Sequence, residues 1–433
     1  MVKLWLYIIL WTKKRVQKGT LPLQYGIHLQ LGMNKIYLRK HFNLYSMKNI
    51  IILLFAVIFI QSSTDVVYGQ SNGKGVEHIK VFYEPGMYAG WPANHGIWTW
   101  NNEILIGFVE ASYKSTNRGL HTYDVSTAKN KYARSLNGGA TWKITDAYEI
   151  GQKAWGHDNN IPPKEAIKPI LMAEPIEDFT DPGFLLTFLR HNNNDGPSHY
   201  YYSSDKGTSW KGAFEFPNLG TPGIANRTDY IVDGKQSLSV FVTTAKSNKK
   251  EGRVALVRTN NGGLAWELVS WITPEHGGFD IMPSSIRISE TELLTTIRTR
   301  TEDGLDLICS YRSNDNGKTW RRLKDPAPYT GSAGSPPALI KLKDGRLALG
   351  YIYRSKYGSR VHVRFSKDNG ETWDDEITLR SGDGANRDAG YPKITQRSDG
   401  KLVLVYYWNN VLNENAEPYR YIAATIFDPA EFE

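Results

Sequence analysis

The chain has 433 residues, 12% aromatic and 22% charged, enough for a large packed core. Its one cysteine, Cys309, excludes an intrachain disulfide framework and any multi-cysteine metal site. The formal charge of +8 lies in residues 1–69, while residues 70–433 hold 43 Lys/Arg against 43 Asp/Glu, so charge gives no argument for a nucleic-acid partner.

In chain order, the first feature is a second start. From Met47 the sequence reads "MKNIIILLFAVIFIQSSTDVVYGQ": a basic Lys48, an apolar run from Ile50 to Ile60, then a polar segment. Val67 and Gly69 stand at the −3 and −1 positions of a cleavage before Gln70, which is the grammar of a secretory signal. The apolar run is too short to cross a bilayer. Residues 1–46 then read as an over-long N-terminal extension, 47–69 as a signal peptide and 70–433 as one domain. The product is expected to be secreted or periplasmic, with no stable membrane insertion after signal removal.

Beyond Gln70 the apolar residues come in strand-length runs without a sustained helical period. There are six: "EILIGFVEA" (103–111), "PGFLLTFLR" (182–190), "SLSVFVTTA" (237–245), "ELLTTIRTR" (292–300), "RLALGYIYR" (346–354) and "KLVLVYYW" (401–408). After each of the first five comes a match to Ser/Thr-x-Asp/Asn-x-Gly-x-x-Trp, starting at residues 135, 203, 259, 313 and 366. One match would be a polar turn; five at nearly one period are a repeat architecture. The sixth unit has the strand but no box, and ends in "YIAATIFD" (421–428). The spacing predicts an all-β, six-bladed β-propeller with Asp-box hairpins, closed if "HIKVFYEPG" (78–86) completes the last blade. Within a box, Gly permits a positive φ, the Asp/Asn and Ser/Thr side chains bond the turn's own amides, and Trp packs into a seam. Asp205, Asp315 and Asp368 are therefore structural acids rather than catalysts.

A propeller's site lies where the innermost strands begin. Those segments are "WPANHGIW" (91–98), "FTDPGF" (179–184), "ANRTDY" (225–230), "FDIMPSS" (279–285), "GSAGSPP" (331–337) and "NRDAGYP" (386–392). They carry His95, Asp181, Arg227, Asp229, Asp280, Arg387, Asp388 and Tyr391. Asp181 before Pro182 reads as a turn acid. Arg227 and Asp229 alternate onto one strand face, which suits a structural ion pair and a substrate contact equally.

Five Asp boxes on a six-unit repeat resemble the sialidase (neuraminidase) superfamily with its BNR repeats, across residues 78–433. That resemblance implies three arginines for a substrate carboxylate, a tyrosine nucleophile activated by a glutamate, and an aspartic acid that protonates the leaving group. "AGYPKI...DGKLVLVYY" is similar to the nucleophile segment and gives Tyr391 that role. "SSIRI...ELLTTIRTR" resembles the next arginine blade through Arg298, and "ALGYIYRSKYGSRVHVRF" offers Arg354 or Arg360 as the third arginine. The first arginine has no match near "GWPANHG", where His95 is the nearest polar group. The glutamate position falls on Met282, with Asp280 as a substitute. The acid/base falls in the loop "ASYKSTNRGLHTYDVSTAKNKYARS", with Asp124 as first choice and His121 as second.

Three readings follow. The first is an exo-acting glycoside hydrolase for a terminal acidic sugar, with Arg298, Arg354, Arg227, Arg360, Asp229 and Asp388 as binding residues and Tyr391, Asp124, Asp280 and His95 as catalytic candidates. The second is a lyase of uronate-containing glycans using Tyr391 or His95 as base, and the third a carbohydrate-binding propeller without turnover. No P-loop, dinucleotide fingerprint or metal-ligand spacing occurs, so no cofactor is expected.

Overall fold

The computed structural model describes residues 75–116, 120–148, 168–190, 193–194, 196–410 and 419–432, plus one hairpin of strands Ile27–Leu31 and Asn34–Leu38. Residues 1–69 and 70–433 are separate units. The signal read at 47–69 lies outside the described residues, as does "WGHDNN" (155–160), a segment whose composition suits a sugar contact at the rim.

Six antiparallel sheets follow one another in residues 70–433. Blade 1 holds Glu103–Ser112, Lys129–Ser135 and Lys143–Asp146; its inner edge is split into Met87–Gly90 and Ile97–Trp100 by a one-turn helix, Pro92–His95. Blade 2 has three strands among the described residues, Leu185–Arg190, Ser198–Ser203 and Lys211–Phe216. Blades 3, 4 and 5 are four-stranded and begin at Tyr230–Val232, Phe279–Arg287 and Ala338–Lys341. Blade 6 begins at Gly390–Gln396 and takes its fourth strand from the N-terminal side: Glu77–Phe82 pairs antiparallel with Tyr421–Phe427, Thr425 opposite His78. The predicted closing strand is thus in place.

The second strands are buried along their length because a blade covers each face. Every residue of Leu238–Ala245 is buried, as is every residue of Leu402–Trp408. Core clusters straddle neighbouring blades: Phe241 and Leu256 of blade 3 pack with Leu293, Ile297 and Cys309 of blade 4. Cys309 is buried there as a small apolar group.

The boxes follow the predicted chemistry. In blade 4, Ser313 Oγ accepts from Gly317 N at 2.8 Å, and Asp315 accepts from Thr319 N at 2.9 Å and from Thr319 Oγ1 at 2.6 Å. Gly317 sits at φ +86, where a Cβ would also come within 2.1 Å of Leu256. Trp320 donates to Ser270 Oγ at 3.0 Å and packs against the seam between blades 3 and 4. The same Ser/Thr-to-Gly bond recurs at Gly139, Gly207, Gly263 and Gly370. Each box turn follows a third strand, so antiparallel order sets it at the opposite end of its sheet from the start of the inner strand.

Hydrogen bonds from Thr319 hold the Asp315 carboxyl down at about 2. A depressed folded-state value contributes stability above the unfolded pKa that is lost as pH falls, between about 4 and about 2. Asp315→Asn, the residue type at 137 and 261, is expected to keep the amide bonds and remove that acid-labile share. Asp315→Ala should cost about 1–2 kcal/mol at neutral pH and Trp320→Ala about 3 kcal/mol. Urea unfolding at neutral and acid pH measures all three; equal acid sensitivity in parent and Asp315→Asn would contradict the assignment.

Candidate functional site

Two inner strands are bulged where they begin. Register slips between Ile281 and Ser284 in blade 4 and between Gly390 and Lys393 in blade 6. The residues in the slips, Met282 and Tyr391, have φ of 56 and 55, a left-handed backbone that re-aims a side chain. Both join one buried cluster with Trp91, Tyr123 and Tyr407.

Arginines surround that tyrosine. Arg298 lies two residues before the end of the second strand of blade 4, Leu293–Arg300; its Nη1 donates to Tyr391 Oη at 3.3 Å and lies 3.9 Å from Met282 Sδ. Arg354 follows the second strand of blade 5, its guanidinium carbon 6.0 Å from the Tyr391 ring centre. The "GSAGSPP" segment holds both: Ala333 O accepts from Arg298 Nη2 at 2.5 Å and Arg354 Nη1 at 3.3 Å, and Gly334 O accepts from Arg354 Nη1 at 2.9 Å. Arg354 Nε donates to Arg387 O at 2.8 Å. Arg298 Nε and Arg354 Nη2 are buried with no hydrogen-bond partner among the described residues. Burial alone would raise the Tyr391 phenol; Arg298, Arg354 and Arg227, in that order, more than offset it and bring it below the usual tyrosine value.

A fourth arginine escaped the sequence reading. Arg190 ends the second strand of blade 2, donates through Nε to Asn193 Oδ1 at 2.8 Å, and has Arg227, Glu251 and Tyr391 as charged neighbours. "LLTFLR" (185–190) and "LLTTIR" (293–298) align residue for residue. Superposing the repeats on one another would have put Arg190 at the rung of Arg298.

The other candidates divide. Arg227 is buried, ion-paired with Glu251, and donates to Ala225 O at 2.7 Å. It does not pair with Asp229, which accepts from Ser285 N at 3.2 Å and Ser285 Oγ at 2.7 Å. Burial raises Asp229 to about 6 against the pull of Lys393, whose Nζ donates to Thr228 O at 2.9 Å, linking blade 6 to blade 3. Of the two arginines offered by blade 5, Arg354 lies beside Tyr391; Arg360 stacks on Tyr353, 5.7 Å from its ring centre.

Four expectations are corrected. Asp280 was expected on the face of Met282, but the bulge breaks the alternation. It pairs across the sheet with Thr299, accepting from Thr299 Oγ1 at 2.6 Å, with His276 Nε2 at 3.1 Å, away from Tyr391. Asp124 caps a short 3₁₀ turn, accepting from Ser126 Oγ at 2.7 Å and Ser126 N at 3.0 Å; the Ser126 bonds keep its carboxyl below the usual range, the wrong direction for a general acid. His95 is buried and pulled down to about 3, first by burial and then by Arg190, so it stays neutral and is a poor base at neutral pH. Asp388 is fully buried in an ion pair with Arg420 (2.9 Å) and accepts from Tyr407 Oη at 3.1 Å, Thr122 Oγ1 at 3.0 Å and His121 N at 3.2 Å. It anchors the blade 1 loop to blade 6 rather than meeting a ligand. Asp181 accepts from Gly183 N at 2.6 Å, as a turn acid does.

His121, second in the acid/base reading, lies beside Asp388 with its ring 5.4 Å from that of Trp91. No group of three or more His, Cys, Asp or Glu able to hold a metal ion occurs among the described residues.

A ring of six blades with Asp boxes, two inner strands bulged so that a tyrosine lies among arginines, defines a six-bladed Asp-box propeller. The BNR repeat-like domain family matches residues 133–404, and the chain belongs to that family. No curated protein matches it. Among solved structures it is similar to a Dyadobacter fermentans protein of unknown function (20% identity, TM-score 0.60, covering 82% of this chain and 99% of that one). It is also similar to the Hadza microbial sialidase Hz136 (14%, TM-score 0.53, 80% of this chain and 66% of that one). A third likeness is to the Trypanosoma rangeli sialidase with 2,3-difluorosialic acid as a covalent intermediate (14%, TM-score 0.52, 82% of this chain and 59% of that one). At these identities the likeness is one of fold.

Removing a guanidinium should release the phenol. Arg298→Gln is expected to raise the Tyr391 pKa, read as the phenolate absorbance that Tyr391→Phe abolishes. An unchanged titration would remove Arg298 as the cause.

Proposed function

We propose that the protein is an exported exo-acting glycoside hydrolase that removes a terminal acidic sugar from glycans or polysaccharides. The observation that carries this is the Arg298–Tyr391 hydrogen bond at 3.3 Å, with Arg354 on the same ring. Arg298 Nε and Arg354 Nη2, the buried atoms without partners, would take the sugar carboxylate through charge-assisted bonds. Tyr391, as the phenolate that the neighbouring guanidiniums favour, would attack the anomeric carbon as the glycosidic C–O bond breaks, and protonated His121 would give its proton to the leaving oxygen. Water would then release the sugar from tyrosine, returning a proton to His121.

A second reading is favoured by one observation: among the described residues no carboxylate bonds to Tyr391, and Met282 stands where the family resemblance implies a glutamate. Elimination next to a uronate needs a base and a neutralised carboxylate, and Tyr391 with Arg298 and Arg354 would supply both. Products separate the two. Hydrolysis gives new reducing ends alone; elimination also gives an unsaturated uronate that absorbs in the ultraviolet. Under either reading Tyr391→Phe should lower turnover by about a hundredfold or more while binding persists, and Arg298→Lys should weaken binding of an anionic substrate. Near-normal turnover by Tyr391→Phe would remove the tyrosine from the chemistry. Acidic glycans that bind without turnover would leave the binding-module reading.

Export rests on the segment from Met47. Expression of the full chain is expected to give a mature product beginning near Gln70; a mature N-terminus at or before Met47 would overturn this.

A further inference from the structure

We propose that Thr228 and Asp229 form a crossbeam that holds both bulged strands, and that Lys393, Asp229 and Ser285 are positioning residues for Tyr391 and the arginine bonded to it. From blade 6, Lys393 Nζ reaches blade 3, the opposite blade of six, and donates to Thr228 O at 2.9 Å. From blade 4, Ser285 donates to Asp229 through its backbone N at 3.2 Å and its Oγ at 2.7 Å. Both anchors stand where register resumes. Lys393, opposite Val405, is the first paired residue past the slip in blade 6; Ser285, opposite Thr295, is the second past the slip in blade 4. The beam is itself fixed. Thr228 N and Oγ1 both donate to Asn94 O at 3.1 Å, Phe188 N donates to Thr228 Oγ1 at 3.1 Å, and Phe241 N donates to Asp229 O at 3.0 Å. Two buried residues thus tie the helix of blade 1 and the inner strands of blades 4 and 6 to blades 2 and 3.

The bulges need such a hold. A positive φ at a non-glycine residue is strained, and a one-residue slip back into regular register would turn the side chain to the other face of the strand. Met282 N donates to Thr243 Oγ1 at 3.0 Å, which steadies the blade 4 bulge from blade 3 as well. The Tyr391 bulge is pinned just beyond itself, by Lys393. Where the bulges sit decides the site: Arg298 pairs with Ile281, the last residue before the blade 4 slip, and its Nη1 meets both Tyr391 Oη and Met282 Sδ. A shift of either bulged strand therefore lengthens the Arg298–Tyr391 bond, part of what brings the phenol below its usual value. Burial works against the charge of Asp229 and of Lys393 alike. Apolar side chains would fill the same space more favourably, whereas directed bonds hold one register. The inference concerns the geometry around Tyr391 and holds for any chemistry there.

The test is the Tyr391 titration, read in each variant of the full-length protein as the phenolate absorbance that adding Tyr391→Phe removes. Asp229→Ala and Asp229→Asn delete the same charge, but the second keeps an amide oxygen for Ser285. By charge alone the two variants titrate alike, with Tyr391 lowered because an anion is gone. With the crossbeam, Asp229→Ala raises Tyr391 above the Asp229→Asn value by about one unit or more, the contribution of one charge-assisted hydrogen bond. Urea unfolding checks that each variant is folded. A merely structural role would shift the unfolding midpoint and leave the two titrations coincident, and that result would overturn the proposal. Lys393→Met should also raise Tyr391; an unchanged titration there would remove Lys393 from the device. If Asp229→Ala fails to fold, Ser285→Ala decides, because it takes a bond from the beam and no charge. Tyr391 is then expected to rise, and a titration equal to the parent's would overturn the proposal.

Discussion

The pairing of Glu77–Phe82 with Tyr421–Phe427 closes the ring, and the rest of the molecule depends on that closure. Closed, six sheets share one axis, and the starts of their inner strands are brought together. Residues as far apart in sequence as Arg190, Arg298 and Tyr391 then become neighbours. The closing strand also seals the outer edge of blade 6, which would otherwise expose unpaired backbone groups. It is itself only partly buried, yet Val81 joins the core and Ile79 and Phe82 pack against it while its backbone completes the sheet.

Closure by itself would leave the funnel end soft, and buried polar links stiffen it. Asp388 joins Arg420, Tyr407, Thr122 and the His121 amide at one point. Burial would raise its carboxyl; Arg420, then His121 and Arg354, keep it ionised. Lys393 reaches Thr228 O from the opposite side of the ring, with Asp229 as its nearby charge. Such pairs add little net stability against apolar packing, but breaking one leaves an uncompensated charge. Their effect is to fix geometry where three loops meet.

The ring was readable because its signals are local and repeated: a turn glycine, a turn Asp or Asn and a tryptophan recur in five of the six blades, and each needs only its own hairpin to make sense. The closing strand at 77–82 was readable from the missing fourth strand of the last unit. The site was harder because it depends on which way a side chain points at a bulge. Simple alternation set Asp280 with Met282, and one extra residue in the strand undid that. Asp388 and Asp124 looked like site acids because sequence shows a carboxylate without its partners. The partners, Arg420 and Ser126, turn one into an anchor and the other into a cap. Arg190 was missed for the opposite reason: it stood in plain view at the end of a strand run, but its meaning comes only from the equivalence of blades 2 and 4.

Met282 carries the last step. A glutamate beside Tyr391 would draw the phenol proton by accepting it, but a carboxylate there would also cancel part of the arginine field. A thioether accepts no proton and cancels nothing. With Met282 at 3.9 Å from Arg298, the full charge of Arg298 and Arg354 falls on the phenol oxygen and on whatever anion lies next to it. Under the proposed function, activation of the tyrosine and capture of the substrate would draw on the same two guanidiniums. A bound carboxylate must weaken their hold on the phenolate, since the charges add. Chemistry at Tyr391 would then be coupled, under the proposed function, to where the anion sits.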